Sequence, residues 1–163
     1  MPNKRVVINA SPLIVLLKSQ QTELLPQLFS EILVPRGVLE EVLAGGPDDR
    51  AVLGLPEVAW ANVIDMDGGV APEVAAWDLG KGESEVLSLA GTTSGSVAIV
   101  DDRAARRCGS SLGIPTLGTG GVLVLAKRRG LITDVSSRLQ ALQDVGLWMS
   151  VGLVEILKEQ AGE

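Results

Sequence analysis

Residues 96–113 read SVAIVDDRAARRCGSSLG: an apolar run delivers two adjacent carboxylates, Asp101 and Asp102, and Arg103, Arg106 and Arg107 follow directly. Three further places offer oxygen donors next to apolar runs. Asn9 and Ser11 follow RVVI, Glu40 and Glu41 lie in VPRGVLEEV, and Glu83 and Glu85 open GKGESEVLSLA. Carboxylates held within a few ångströms repel one another, so a cluster of them persists only with protons or cations to compensate. The chain has no histidine and a single cysteine, Cys108. The commonest general base and the commonest zinc ligand are thereby excluded, and the compensating ion for an all-oxygen set is a hard one, Mg²⁺ or Mn²⁺. Each acid also has a plain structural use: Asp102 as a helix N-cap, Glu40 and Glu41 as solvated helix charges, Glu83 and Glu85 at a helix N-terminus. Arg103, Arg106 and Arg107 stand at i, i+3 and i+4 and share one helix face, as a salt-bridge strip or as a clamp for phosphate. GTGG at 118–121 reads as a turn, and without a following lysine it is not a P-loop.

The elements that must position these groups follow from the pattern around them. RVVIN (5–9) reads as a strand, and SPLIVLLKS as a helix with Ser11 as cap and Pro12 at its first position. TELLPQLF is a short helix capped by Thr22, EILVP (31–35) a strand, and RGVLEEVLAGG a helix closed by Gly45 and Gly46. DDRAVLGLPEV reads as a short helix and WANVIDMD as a strand. GKGESEVLSLAGTT (80–93) becomes a helix, SVAIV (96–100) a strand, DRAARRC a helix ended by Gly109, and IPTLG (114–118) a short strand. Three helical patterns, TGGVLVLAKRRG, SSRLQALQDVG and SVGLVEILKEQ, complete the chain. Strands alternating with helices predict an α/β fold, a central parallel sheet covered on both faces. In such sheets functional groups collect beyond the carboxyl ends of the strands, where Asn9, Ser11, Asp101 and Asp102 fall.

The 163 residues suit one domain spanning 1–163, and the core is Leu, Val, Ala and Ile with three Trp, one Phe and no Tyr. A net charge of −6 argues against gripping nucleic acid by bulk positive charge, so any contact with a polyanion is local. One cysteine allows no internal disulfide, and no run reaches the roughly 18 apolar residues of a membrane span. These features predict a soluble cytoplasmic protein.

In order along the chain, VVINASPLI, VPRGVLEEV, GKGESEVLSLA, IVDDRAARR, LGIPTLGTGGVLVLAKRRGLI and SVGLVEILKEQAGE resemble the motifs of PIN-domain proteins, in particular prokaryotic members related to VapC-type toxins. The resemblance covers nearly the whole chain. It implies a Rossmann-like, three-layer α/β/α fold with a mainly parallel sheet. It also implies a Mg²⁺- or Mn²⁺-dependent ribonuclease centre of three or four acids. Carried over by position, the first acid falls on Asn9 with the neighbouring hydroxyl on Ser11, the second on Glu41, the third on Glu83 and the fourth on the Asp101 and Asp102 pair. Asp101 is expected as the ligand at the strand end, with Asp102 as second ligand or cap, and Arg103, Arg106 and Arg107 as phosphate contacts. The family has Asp where this chain has Asn9, and a neutral amide offers a cation only its carbonyl oxygen. The implied partners are RNA, a small antitoxin-like protein and a second copy of the chain. Two other readings stay open: a catalytically attenuated PIN domain that binds RNA or protein, and a small phosphate- or nucleotide-binding regulatory domain.

Overall fold

A computed structural model describes residues 4–163; residues 1–3 of the expected domain lie outside that range. Five strands form one sheet: β1 (Arg5–Ile8), β2 (Glu31–Pro35), β3 (Ala61–Ile64), β4 (Ser96–Ile99) and β5 (Thr116–Leu117). They lie in the order β3-β2-β1-β4-β5 with every neighbouring pair parallel. β1 is central, with Arg5 beside Ser96 and Ile8 beside Ile99 in one register and Val6 beside Ile32 in the other. Its Val6, Val7 and Ile8 are fully buried, as are Ala98 and Ile99 of β4. A strand apolar on both faces, as these are, can exist only between two helical layers. Each such Val or Ile side chain removed from water contributes about 1.5–3 kcal/mol.

Ten α-helices cover the sheet among the described residues: α1 (Ala10–Lys18), α2 (Leu24–Leu28), α3 (Arg36–Leu43), α4 (Arg50–Gly54), α5 (Pro72–Ala75), α6 (Lys81–Thr92), α7 (Arg103–Leu112), α8 (Thr119–Arg128), α9 (Val135–Asp144) and α10 (Val151–Gln160). A 3₁₀ turn at Leu55–Val58 extends α4. The architecture is the expected three-layer α/β/α. The helix that matters most for position is α6, which packs on β1, β2 and β4 and against α3 and α7.

The boundaries depart from expectation at particular residues. The N-cap of α1 is Asn9, with Ser11 exposed in the first turn, and that of α2 is Glu23 instead of Thr22. The helix α7 runs through Gly109 and ends at Gly113, whose φ of +72° reverses the chain. Gly109 is glycine for another reason: a Cβ there would lie 2.7 Å from Thr116 Cγ2 and 2.9 Å from the Ile114 carbonyl, so it lets α7 pack onto β5. GTGG is the start of α8, capped at Gly118. The short α5 lies in a stretch with no apolar period long enough to announce it.

Candidate active site

Strand order reverses between β1 and β4, because the chain moves outward from β1 through β2 to β3 and then returns to β4 on the other side. Loops leaving such neighbours at their carboxyl ends diverge and leave a crevice. Asn9 follows β1 directly and Asp101 and Asp102 follow β4, so the two sides of the crevice carry the residues that the sequence singles out.

Asn9 is 6% exposed and holds an extended backbone at the head of α1. Its side chain makes no capping bond, although asparagine at that position ordinarily does. Instead its Oδ1 lies above Gly82 in the first turn of α6: a Cβ built there would be 3.4 Å from Asn9 Oδ1 and 3.4 Å from Glu41 Oε1. Three elements, β1, α3 and α6, thus bring an amide and a carboxylate to one glycine. Glu83, next along α6, is half-buried. Its carboxyl is pushed above the ordinary glutamate range, first by burial, then by the negative charges of Asp102 and Glu41 and by a hydrogen bond with Asp102. Glu83 therefore senses both Asp102 and Glu41. Asp102 has a second duty, since its Oδ2 accepts from Ala105 N at 3.0 Å and caps α7.

Asp101 points elsewhere. Its Oδ1 accepts from Thr119 N at 2.8 Å and its Oδ2 from Thr119 Oγ1 at 2.6 Å, with Thr119 fully buried. Both oxygens are engaged in tying the end of β4 to the start of α8. Ser11 is exposed at the same edge, one turn into α1. Arg103, Arg106 and Arg107 are exposed on α7, and among the described residues none of them makes an ion pair within 4.0 Å. Arg106 reaches over Gly118, where a Cβ would be 2.8 Å from its Nη1 and 3.2 Å from Asp101 Oδ1. Glu40 turns away to Lys81 at 3.5 Å.

A family profile described as PIN domain matches residues 5–163. The chain belongs to the PIN-domain family. Its fold is accordingly nuclease-like, and the family is of the hydrolase class. No curated protein matches the chain.

PIN domains generally use divalent metals, and the donors in this one can be tested against that need. In kind they fit: a neutral carbonyl oxygen from Asn9 and carboxylates from Glu41, Glu83 and Asp102 are the hard oxygen donors that Mg²⁺ and Mn²⁺ prefer. In position they are open, for among the described residues no three acidic groups stand close enough to enclose an ion. Glu83, half-buried and close to the charges of Asp102 and Glu41, takes up a proton more readily than usual. Among the described residues no helix of the PIN domain is long and apolar enough to cross a membrane.

Two features escape sequence reading. Thr119, buried behind Asp101, sits in a stretch that looks like a glycine turn, and Gly82 looks like helix-start punctuation. Only the packing of α3 and β1 onto α6 gives Gly82 its place beneath two oxygen donors.

Proposed function

We propose that this PIN domain is a Mg²⁺- or Mn²⁺-dependent endoribonuclease whose ion would be held by Asn9, Glu41, Glu83 and Asp102. The observation that carries the reading is the meeting of Asn9 Oδ1 and Glu41 Oε1 over Gly82, next to a Glu83 carboxyl pushed upward by burial and then by the charges of Asp102 and Glu41. When bound, such an ion would supply a hydroxide at neutral pH and offset the charge that builds on phosphoryl oxygens. Glu41, Glu83 and Asp102 set its place. Asn9 adds a dipole without a charge, which lowers the pull on the cation and slows the reaction. Asp101 holds α8 to β4 through Thr119 and so keeps the arginine-bearing helix α7 and the loop at Gly118 in register. Unpaired Arg103, Arg106 and Arg107 offer guanidinium groups to backbone phosphates, a local attraction on a chain of net charge −6. Without histidine, proton transfer falls to carboxylates and water.

Calorimetric titration with Mn²⁺ and a cleavage assay on unstructured RNA test the proposal together. Wild-type protein should bind Mn²⁺ and cut RNA slowly in its presence. Glu83→Gln should abolish both while the fold is retained, and replacing Arg106 and Arg107 by Ala should weaken RNA binding and flatten its salt dependence. Metal binding with no cleavage would favour the attenuated RNA-binding reading; no metal binding would end the nuclease reading. In the toxin role, induced expression arrests growth and co-expression of a small cognate antitoxin-like protein restores it.

A further inference from the structure

The acid that the catalytic reading leaves over is Glu85, one of the few charged groups in the interior. It is 6% exposed, and its Oε1 accepts from Gly37 N at 3.1 Å. Gly37 is in the first turn of α3, a helix whose N-cap, Pro35, has no side-chain oxygen to offer the free amides there. Glu85 supplies from α6 the acceptor that α3 lacks.

The contact has a counterpart one turn away. Gly37 and Glu41 are four apart on α3 and share a face, and Gly82 and Glu85 are three apart on α6 and share a face. The two faces meet reciprocally. A Cβ on Gly37 would be 2.7 Å from Glu85 Oε2 and 2.9 Å from its Oε1, and a Cβ on Gly82 would be 3.4 Å from Glu41 Oε1. Each helix thus presents a glycine beneath the other's glutamate. One of the two rungs is buried and hydrogen-bonded; the other faces the crevice.

Resting on the reading of the acidic crevice as a cation site, we propose that Glu85 is a positioning residue for that site. The Glu85–Gly37 rung fixes the approach and rotation of α3 on α6 and so holds the Glu41 carboxylate over Gly82, beside Asn9 and within the field of Glu83. Glu85 itself does not touch the ion.

Calorimetric Mn²⁺ affinity, read alongside thermal melts of the metal-free protein, separates this role from simple support of the fold. Glu85→Gln keeps a carbonyl acceptor for Gly37 N and should stay close to wild-type affinity. Glu85→Leu removes the acceptor at similar volume and should weaken Mn²⁺ binding about tenfold or more, the range typical of groups that orient metal ligands. Gly37→Ala drives a methyl into the carboxylate and should give the same loss from the other helix, and the losses of the two variants should not add. Should Glu85→Leu fail to fold, Gly37→Ala compared with Glu85→Gln carries the same contrast. Variants that melt earlier but bind Mn²⁺ as wild type does would overturn the positioning role and leave the metal site standing. A wild-type protein that binds no Mn²⁺ would overturn both.

Discussion

In the proposed cation site, Asn9 is where one atom type would set the output. Its amide is buried, uncommitted to the helix it heads, and close to Glu41 across Gly82. Asn9→Asp adds a charge and removes no donor atom, so Mn²⁺ should bind roughly tenfold more tightly, as affinity follows the count of charged ligands. The metal-free variant should melt earlier, since a fourth carboxylate joins three that already repel. Equal affinity in the two proteins, measured calorimetrically at one pH, would remove Asn9 from the site. Glu83 provides a second test through pH. Its folded-state carboxyl titrates above its unfolded value, so between those two values the native chain binds more protons than the unfolded one. Stability of the metal-free protein should then fall as pH rises through the window just above the ordinary glutamate value of 4.5. Glu83→Gln should flatten that decline. Mn²⁺ affinity should rise across the same window, because the ion competes with the proton. A decline unchanged in Glu83→Gln would assign it to other groups.

At the scale of elements, the approach of α3 to α6 determines what the acids can do, and Gly82 is where the two helices meet beside the crevice. A methyl at that position fits at ordinary contact, 3.4 Å from Asn9 Oδ1 and Glu41 Oε1 and 3.7 Å from Val38 Cγ2. Gly82→Ala should accordingly leave the melting temperature unchanged or raise it slightly, since alanine suits a helix better than glycine by up to about 1 kcal/mol. Mn²⁺ affinity should drop, because the methyl occupies the space between two donors. A stable protein with undiminished affinity would place the ion elsewhere. The sequence announces the elements well wherever periodicity or burial is strong, as in VVI, ILVP and VAIV, and the strand ends then locate Asn9 and Asp102. It favours Asp101 over Asp102 as the ligand at the strand end, but it does not announce Thr119, a residue 18 positions on, whose amide and hydroxyl donate to the two oxygens of Asp101. It is equally silent on Glu85, since a buried acid and a solvated one look alike until the partner helix is placed. Gly109 shows the reverse error: a glycine reads as a stop when its real service is closeness to Thr116.

For the molecule as a whole, sensitivity to acid gathers where the segment after α10 meets α8 and α9. Glu163 accepts from Val135 N at 2.6 Å, from Ser136 N and Oγ, and from Lys127 Nζ at 2.8 Å, joining the segment after α10 to the head of α9 and the last turn of α8. Its carboxyl is held down at about 2, first by Lys127 and then by the Val135 amide. A depressed folded value means that this contribution is complete above the ordinary value of 4.5 and is lost as pH falls towards 2. Glu163→Gln should melt below wild type at neutral pH, and the difference should close over that interval. A constant difference down to pH 2 would show the carboxylate's charge to be irrelevant. The acidic crevice works in the opposite direction, so acid should relax one side of the molecule while loosening the other.

The placement of β1 between β2 and β4 also sets a timetable. Arg5 pairs with Ser96, partners that meet only after a long loop has been closed, and closing such a loop costs entropy before any contact rewards it. Asn9 and Glu41 are synthesised early, but Asp102 cannot join them until β4 docks. Assembly of the crevice should therefore coincide with the last cooperative step of folding, and in refolding experiments Mn²⁺ uptake should lag behind the first helical signal. A chain still emerging from the ribosome would carry Asn9 and Glu41 apart from Asp102 until its sheet was closed.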